Sequence, residues 1–296
     1  MWGVALALLA AGQPCQSLLS LARQAYEGRQ YREASALFTS ALSECGATES
    51  LLLGLAQSQL LAQDVTGALE TLDRLLALNA TSVPTLKVRA KALYLAARDR
   101  EAEDTLHAAA KQAPDDAEIP YDLGRIYYQQ GRHQEAAGAF RRAIVLDSRA
   151  YKAWDNLGLT LEALGDPARA TGHYLEAMEI AQTDQPRYDV VYANYADLLI
   201  KQGEHRKAFD AGAEAAQRNP NDPRNFFLTG KALVKLGRPD VSLKWLAQAT
   251  ALDPDYAAAH YLLSQAYRRL GRLDDATRAL KAFEAASARA PKERRE

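Results

Sequence analysis

Tyr121-Asp-Leu-Gly-Arg-Ile-Tyr127, followed by Gly131, Glu135-Ala136, Phe140 and Ala143, is the stretch that decides the fold. Thirty-four residues further on the same chemistry returns as Trp154-Asp-Asn-Leu157-Gly158, then Gly165, Ala170, Tyr174 and Ala177. Near the C-terminus Tyr267, Gly271, Ala276 and Leu280 keep the spacing, and Pro254 closes the unit before. A fixed period of this kind marks stacked supersecondary units, none of which can bury its apolar face alone. Extending the frame gives unit starts at 15, 49, 83, 117, 151, 189, 223 and 257, every interval being 34 residues except one of 38 between 151 and 189. Eight units fill residues 15–290 of 296.

The columns of this frame have a physical reading. The eighth place is small in every unit (Ala22, Ala56, Ala90, Gly124, Gly158, Ala196, Gly230, Ser264), and so is the twentieth, from Ala34 to Ala276. Small side chains let antiparallel helices approach, and larger ones would overpack that crossing by roughly 1–3 kcal/mol. The twenty-fourth place supplies the large partners, such as Phe38, Leu72, Phe140 and Tyr174. Gly212 breaks that column, which predicts a gap filled by Tyr188 or Tyr195. Gly131, Gly165, Gly203, Gly237 and Gly271 end first helices, where a left-handed residue is wanted. The first three units have no glycine at that place. Pro114, Pro220 and Pro254 end second helices, which proline cannot continue. Asp115-Asp116 and Asp274-Asp275 sit at unit boundaries or first turns, where they cap helices or favour the dipole. The insertion Gln185–Tyr188 is expected to lengthen a link, the alternative being a bend or contact point. Phe283 falls in the last unit, where no following helix crowds it. About sixteen helices are expected, two per unit.

These residues resemble the tetratricopeptide repeat (TPR), whose pattern is W-x2-L-G-x2-Y, then A, F, A and P at fixed offsets. The resemblance covers over nine-tenths of the chain. It is strongest over 117–150 and 151–184, and weaker over 15–48, 49–82 and 83–116, where Arg89 replaces the usual Leu. A related 35-residue RNA-reading repeat would drift out of register by the third copy. The resemblance implies an all-α solenoid, a right-handed superhelix in which each repeat buries its face on the next. It also implies a concave groove lined by first helices, which holds a peptide or protein segment.

The family's inward positions fall here on Lys87, Lys91 and Tyr94, then on Tyr121, Asp122, Arg125 and Tyr128. Further along they fall on Lys152, Asp155, Asn156, Leu159, Glu162, Asn194 and Asp197. The last two repeats add Arg224, Phe227, Leu228, Lys231, Tyr261, Gln265 and Arg268. Tyr and Arg are enriched at binding hot spots. Tyr121, Arg125 and Tyr128 share one helical face, and Tyr94 of the preceding repeat is expected beside them. The alternative is that these tyrosines pack repeat on repeat. Asn156 and Asn194, at equivalent places, are candidates to bond a bound backbone, since an amide both donates and accepts. Chaperone-binding members hold a C-terminal carboxylate with Lys, Asn, Asn, Lys and Arg. Those places read Asp155, Leu159, Asn194, Arg224 and Leu228 in one window, and Lys87, Lys91, Asp122, Lys152 and Asn156 in another, so that clamp is not expected.

Composition narrows the partner. The 36 basic and 37 acidic residues balance, whereas a nucleic-acid protein usually carries a basic excess to neutralise phosphates. Nucleic acid is therefore not an expected ligand. The five histidines form no i, i+4 pair and no H-E-x-x-H. Gly230-Lys231 lacks the upstream glycine of a P-loop, and neither G-x-S-x-G nor G-x-G-x-x-G occurs. No catalytic residue, metal site or cofactor is expected.

The N-terminus reads differently. Met1–Gly12 is apolar and rich in small residues, and Ala10 and Gly12 stand at −3 and −1 before Gln13, as at a signal-peptide cleavage site. It has no Lys or Arg before the apolar run and is too short to span a bilayer. Cys15 opens the first helix of the first repeat and Cys45 lies near the end of its second. Antiparallel packing brings these ends together, so the pair forms either a disulfide, which belongs to oxidising compartments, or two buried thiols. Asn79-Ala80-Thr81 is a glycosylation sequon that matters only in a eukaryotic secretory host. Residues 291–296 form a charged tail.

The expectation is an exported scaffold, periplasmic or secreted, from a bacterial envelope to judge by the Ala- and Arg-rich composition. The alternatives are an intracellular adaptor that retains Met1–Gly12, and an enzyme, acting for instance on polysaccharide, with an unrecognised site.

Overall fold

The computed structural model describes the backbone of residues 2–289 and the side chains of residues 15–289. It divides into two compact bodies, Met1–Leu146 and Asp147–Glu296. Among the described residues the first holds α1 (Trp2–Glu27), α2 (Tyr31–Cys45), α3 (Glu49–Leu61), α4 (Val65–Leu78), α5 (Val83–Leu95), α6 (Asp99–Gln112), α7 (Glu118–Gln129) and α8 (His133–Leu146). The second holds α9 (Tyr151–Ala163), α10 (Pro167–Asp184), α11 (Val190–Lys201), α12 (His205–Arg218), α13 (Pro223–Lys235), α14 (Pro239–Leu252), α15 (Ala257–Arg269) and α16 (Leu273–Arg289). No strand occurs among the described residues. Within each body the helices pair in sequence order and each pair packs on the next, so both bodies are all-α solenoids.

From the second repeat on, first helices begin on the repeat start or one residue after it. The leader expected over residues 1–12 lies where no side chains are described, and the tail 291–296 lies outside the described residues. No described helix is long and apolar enough to cross a membrane. Cys15 of α1 and Cys45 of α2 are joined by a disulfide, with their Cα atoms 5.5 Å apart.

Close packing follows the small columns. A Cβ on Gly124 would stand 2.6 Å from the Phe140 ring, and one on Gly158 would stand 2.7 Å from the Tyr174 ring. Both rings are fully buried. Arg89 fills its apolar column by reaching outward: Nε donates to Asp73 at 3.3 Å and Nη1 donates to Thr105 at 3.2 Å. Asp116 caps α7 by accepting from the Glu118 amide at 3.0 Å. The second helices α6, α12 and α14 end two residues before Pro114, Pro220 and Pro254. Phe283 packs on Tyr261 with ring centres 5.3 Å apart.

Three features depart from the sequence expectations. The turns between first and second helices are left-handed in all eight repeats. Gly131, Gly165, Gly203, Gly237 and Gly271 have φ between 72° and 80°, while Arg29, Gln63 and Ala97 adopt φ of 60°, 67° and 56° at the same place. The missing glycine thus leaves the turn geometry unchanged. Gly212 leaves no gap: a Cβ there would stand 2.8 Å from Thr229 Oγ1 and 3.2 Å from the Thr229 backbone nitrogen. The reason is that α13 closes on α12, so neither Tyr188 nor Tyr195 is needed as filler. The insertion does not lengthen the link. α10 has 18 residues where α8 and α12 have 14, a difference of four. Four residues make about one helical turn, so the extra segment continues the helix in phase, with Ala181 fully buried.

Candidate functional site

In the N-terminal body the expected inward residues gather on α5 and α7. Lys87 Nζ donates to Asp116 Oδ2 at 2.7 Å and lies 2.5 Å from Glu118 Oε2. Lys91 pairs with Glu118, and its Nζ is 3.9 Å from Asp122 Oδ2. Burial opposes the charge on Lys87, but the Asp116 and Glu118 carboxylates outweigh it and hold the ammonium above its usual value. Glu118 mirrors this: burial works against its charge, and Lys87 and Lys91 hold it below the usual carboxylate range. Both lysines are therefore internally neutralised.

Arg125 is different. Its guanidinium carbon lies 5.1 Å from the Tyr94 ring centre and 6.0 Å from that of Tyr121. Arg125 Nη1 is 3.7 Å from Asp122 Oδ1. Asp122 is buried, 6% exposed, and its Oδ2 accepts no hydrogen bond from the described residues. Burial pushes its carboxyl above the usual range, against the pull of Lys91 and Arg125. Lys91, Tyr94, Asp122 and Arg125 line a small hollow together with Ala90, Leu106 and Ile126. A cation within about 6 Å of an aromatic face gains roughly 0.5–2 kcal/mol per pair depending on desolvation. The structure therefore brings Tyr94, Tyr121 and Arg125 together. Tyr121 also packs on Phe140, ring centres 6.0 Å apart, and Tyr128 on His133, 5.2 Å apart.

In the C-terminal body the polar residues form a chain. Tyr188 Oη donates to Asp155 Oδ2 at 2.6 Å, and Asn194 Nδ2 donates to Asp155 Oδ1 at 2.9 Å. Arg224 Nη2 then donates to Asn194 Oδ1 at 2.8 Å. Asp155 is 1% exposed, and burial holds its carboxyl above the usual range although Tyr188 and Asn194 favour the charge. Both ends of the Asn194 amide are thus engaged within the chain. Asn156, at the equivalent place, donates Nδ2 to the carbonyl of Lys152 at 2.7 Å. Lys231 Nζ is 3.4 Å from Asp197 Oδ1 and 5.8 Å from the Phe227 ring centre. Phe227 packs on Tyr256 with tilted rings, their centres 5.0 Å apart. Burial lifts the Tyr256 hydroxyl to about 12. Tyr261 and Arg268 are exposed.

Two features went unread in the sequence. Tyr188, a candidate filler on sequence grounds, is a hydrogen-bond donor to the buried Asp155 carboxylate; its place within the insertion is the signal that marks it. A hollow of about 250 Å³ lies between α1 and α3, floored by Phe38 and Gly54. Its signal was a glycine five places after a repeat start, where later repeats carry larger side chains.

Comparison with known proteins fits this architecture. Tetratricopeptide-repeat models match residues 19–83, 88–150 and 149–221, and further TPR models match 230–271 and 257–292. The chain belongs to the tetratricopeptide-repeat family. It is 27% identical over 154 residues to anaphase-promoting complex subunit 3 of Schizosaccharomyces pombe, covering 52% of this chain and 23% of that protein. The chain thus spans under a quarter of that relative's length. A tetratricopeptide repeat protein from Parabacteroides merdae superposes with a TM-score of 0.64 at 16% identity, over 86% of this chain and 99% of that one. YrrB, a TPR protein described as having an unusual peptide-binding site, superposes with a TM-score of 0.52 at 19% identity, over 64% of this chain and 95% of that one. At these identities the two structures show the fold.

Proposed function

We propose that this chain is a non-catalytic interaction scaffold that holds a peptide or protein segment against its first-helix faces. The observation that carries the reading is Arg125, 5.1 Å from the Tyr94 ring centre and 6.0 Å from that of Tyr121, beside the buried Asp122 carboxylate, whose Oδ2 accepts no hydrogen bond from the described residues. Tyr94 and Arg125 line the small hollow, and Tyr and Arg are the residue types enriched at binding hot spots. Lys87 and Lys91 are tied to carboxylates of the same face, so the anchor and not the lysines carries recognition. The peptide-binding description of YrrB, a neighbour in fold, supports the same class of role. Lys231, Phe227, Tyr261, Arg224 and Arg268 extend the reading to the C-terminal body, whereas Asn156 and Asn194 are engaged within the chain.

The scaffold works in an oxidising compartment on this reading, exported to a bacterial envelope. Its support is the paired Cys15 and Cys45 together with the apolar stretch Met1–Gly12, because disulfides persist where thiols are not kept reduced.

Cross-linking capture from envelope and cytosolic fractions of the native host tests both parts. The bait is wild type beside a variant carrying Tyr121→Ala, Arg125→Glu and Tyr128→Ala with unchanged helicity. A partner captured from the envelope by wild type and lost by the variant is expected. A partner set unchanged in the variant would remove the anchor, and one found in cytosol alone would remove export.

A further inference from the structure

The hollow between α1 and α3 lies outside every residue assigned above. Its walls are Leu19 and Leu53, its floor is Phe38, and Arg23 and Glu27 stand at its rim. Gly54 opens it. A Cβ at that place would stand 2.7 Å from the Phe38 ring, and every later repeat carries a larger residue there, from Val88 to Leu262. Phe38 lines the hollow, although it is 4% exposed overall and packs with Ala22, Ala34 and Leu55 in the core of the first repeat.

Size and charge select the occupant. The hollow, about 250 Å³, falls below the ~300–1,000 Å³ typical of small-molecule and cofactor pockets. It has room for one large side chain. Arg23 and Glu27 stand one turn apart on α1, and among the described residues neither has an ion-pair partner. A rim of one free cation and one free anion has no net attraction for an anionic lipid surface or for phosphate. It matches a segment that carries one charge of each sign. Exposed Ser50 and half-buried Gln57 add donors and acceptors suited to a peptide backbone.

We infer that this hollow is a side-chain pocket for a peptide segment that presents a large apolar residue between an acidic and a basic one, the acid toward Arg23 and the base toward Glu27. The inference rests on the reading of the first-helix faces as segment-binding and adds the chemistry of the ligand. The Cys15–Cys45 disulfide ties α1 to the end of α2, and so holds the pocket's outer wall against its floor.

The test passes libraries of heptapeptides over the full chain, with the central residue fixed as Phe, Leu, Ala or Ser and the flanks randomised. Wild type, Ser50→Trp, the charge swap Arg23→Glu with Glu27→Arg, and Arg125→Glu are compared. Phe- and Leu-centred peptides with opposite flanking charges should be retained by wild type, about tenfold more weakly by Ser50→Trp, and with the flanking charges exchanged by the swap. Retention of Phe and Leu no better than Ala and Ser overturns the pocket, as does a preference that survives Ser50→Trp. Loss in Arg125→Glu alone overturns the pocket and leaves the anchor standing. Loss in Ser50→Trp alone supports the pocket and removes the anchor. Self-association of wild type that Ser50→Trp abolishes would assign the hollow to a second copy and overturn the peptide.

Discussion

The first three inter-helix turns and the five that follow reach one backbone geometry with different residues. Gly131, Gly165, Gly203, Gly237 and Gly271 take a left-handed φ without a Cβ penalty, whereas Arg29, Gln63 and Ala97 hold it with a side chain present. For an L-residue with a Cβ this conformation costs roughly 1–2 kcal/mol. The difference teaches that packing of the helix pair, not the turn residue, sets the turn. The N-terminal repeats carry that strain in the region where a disulfide closes the first helix pair. The disulfide adds a covalent tie to that helix pair.

The largest way to break the comparison is to remove that tie. Cys15→Ser with Cys45→Ser opens a loop with a sequence separation of 30, and in the chain-entropy model should lower stability by about 3–4 kcal/mol. Hydrogen exchange should show the loss in α1 and α2, with α15 and α16 unchanged. Uniform protection in all four helices would mean that the first repeat needs no staple.

Next comes Gly212→Ala. Thr229 occupies the space a Cβ would need, so urea denaturation should show a loss of about 1–3 kcal/mol. A gap at this site would give the opposite sign, because alanine outranks glycine in a helix interior by roughly 1 kcal/mol.

The turns themselves come third. Gly165→Ala should cost about 1–2 kcal/mol, since φ there is 78°. Ala97→Gly should gain less than about 1 kcal/mol, because relief of strain is partly offset by the greater freedom of glycine in the unfolded chain. Equal and opposite effects would mean that the Ala97 turn is no better supported by its surroundings than the Gly165 turn.

The smallest effect is a slope. Burial holds the Asp155 carboxyl above its usual range, so between the unfolded and folded values the folded chain keeps a proton that the unfolded chain has released. That contribution is fully present below the unfolded value, about 3.9 for an aspartate, and is lost as pH rises through the folded one. Asp155→Asn should therefore flatten the fall in stability on going from pH 4 toward 7, measured by denaturant unfolding at each pH. An unchanged slope would mean that Tyr188 and Asn194 fully offset the burial of the charge.

Much of this was legible in the sequence. The period placed the helix pairs, because small and large columns recur wherever two helices cross, and the Tyr121–Arg125 face follows from i, i+4 spacing. What escaped has physical reasons. Arg29, Gln63 and Ala97 carry no local preference for a left-handed turn, so only the packed helices reveal it. Gly212 looks the same in sequence whether a neighbour is absent or pressed close. The four-residue insertion matches one helical turn and so leaves no break in pattern, which hid both the longer α10 and the role of Tyr188. At Gly54 the Phe38 ring lies where a Cβ would stand, and a missing atom reads as tolerance until its neighbours are in place.

The central claim is that a bound segment lies on the first-helix faces. Site-specific photo-crosslinking tests it most directly, with a photoreactive residue in place of Tyr94 on α5 or, in a second variant, in place of exposed Arg141 on the second helix α8. The account predicts an adduct with the captured partner from position 94 and none from position 141. Adducts from 141 alone, or equally from both, would contradict it.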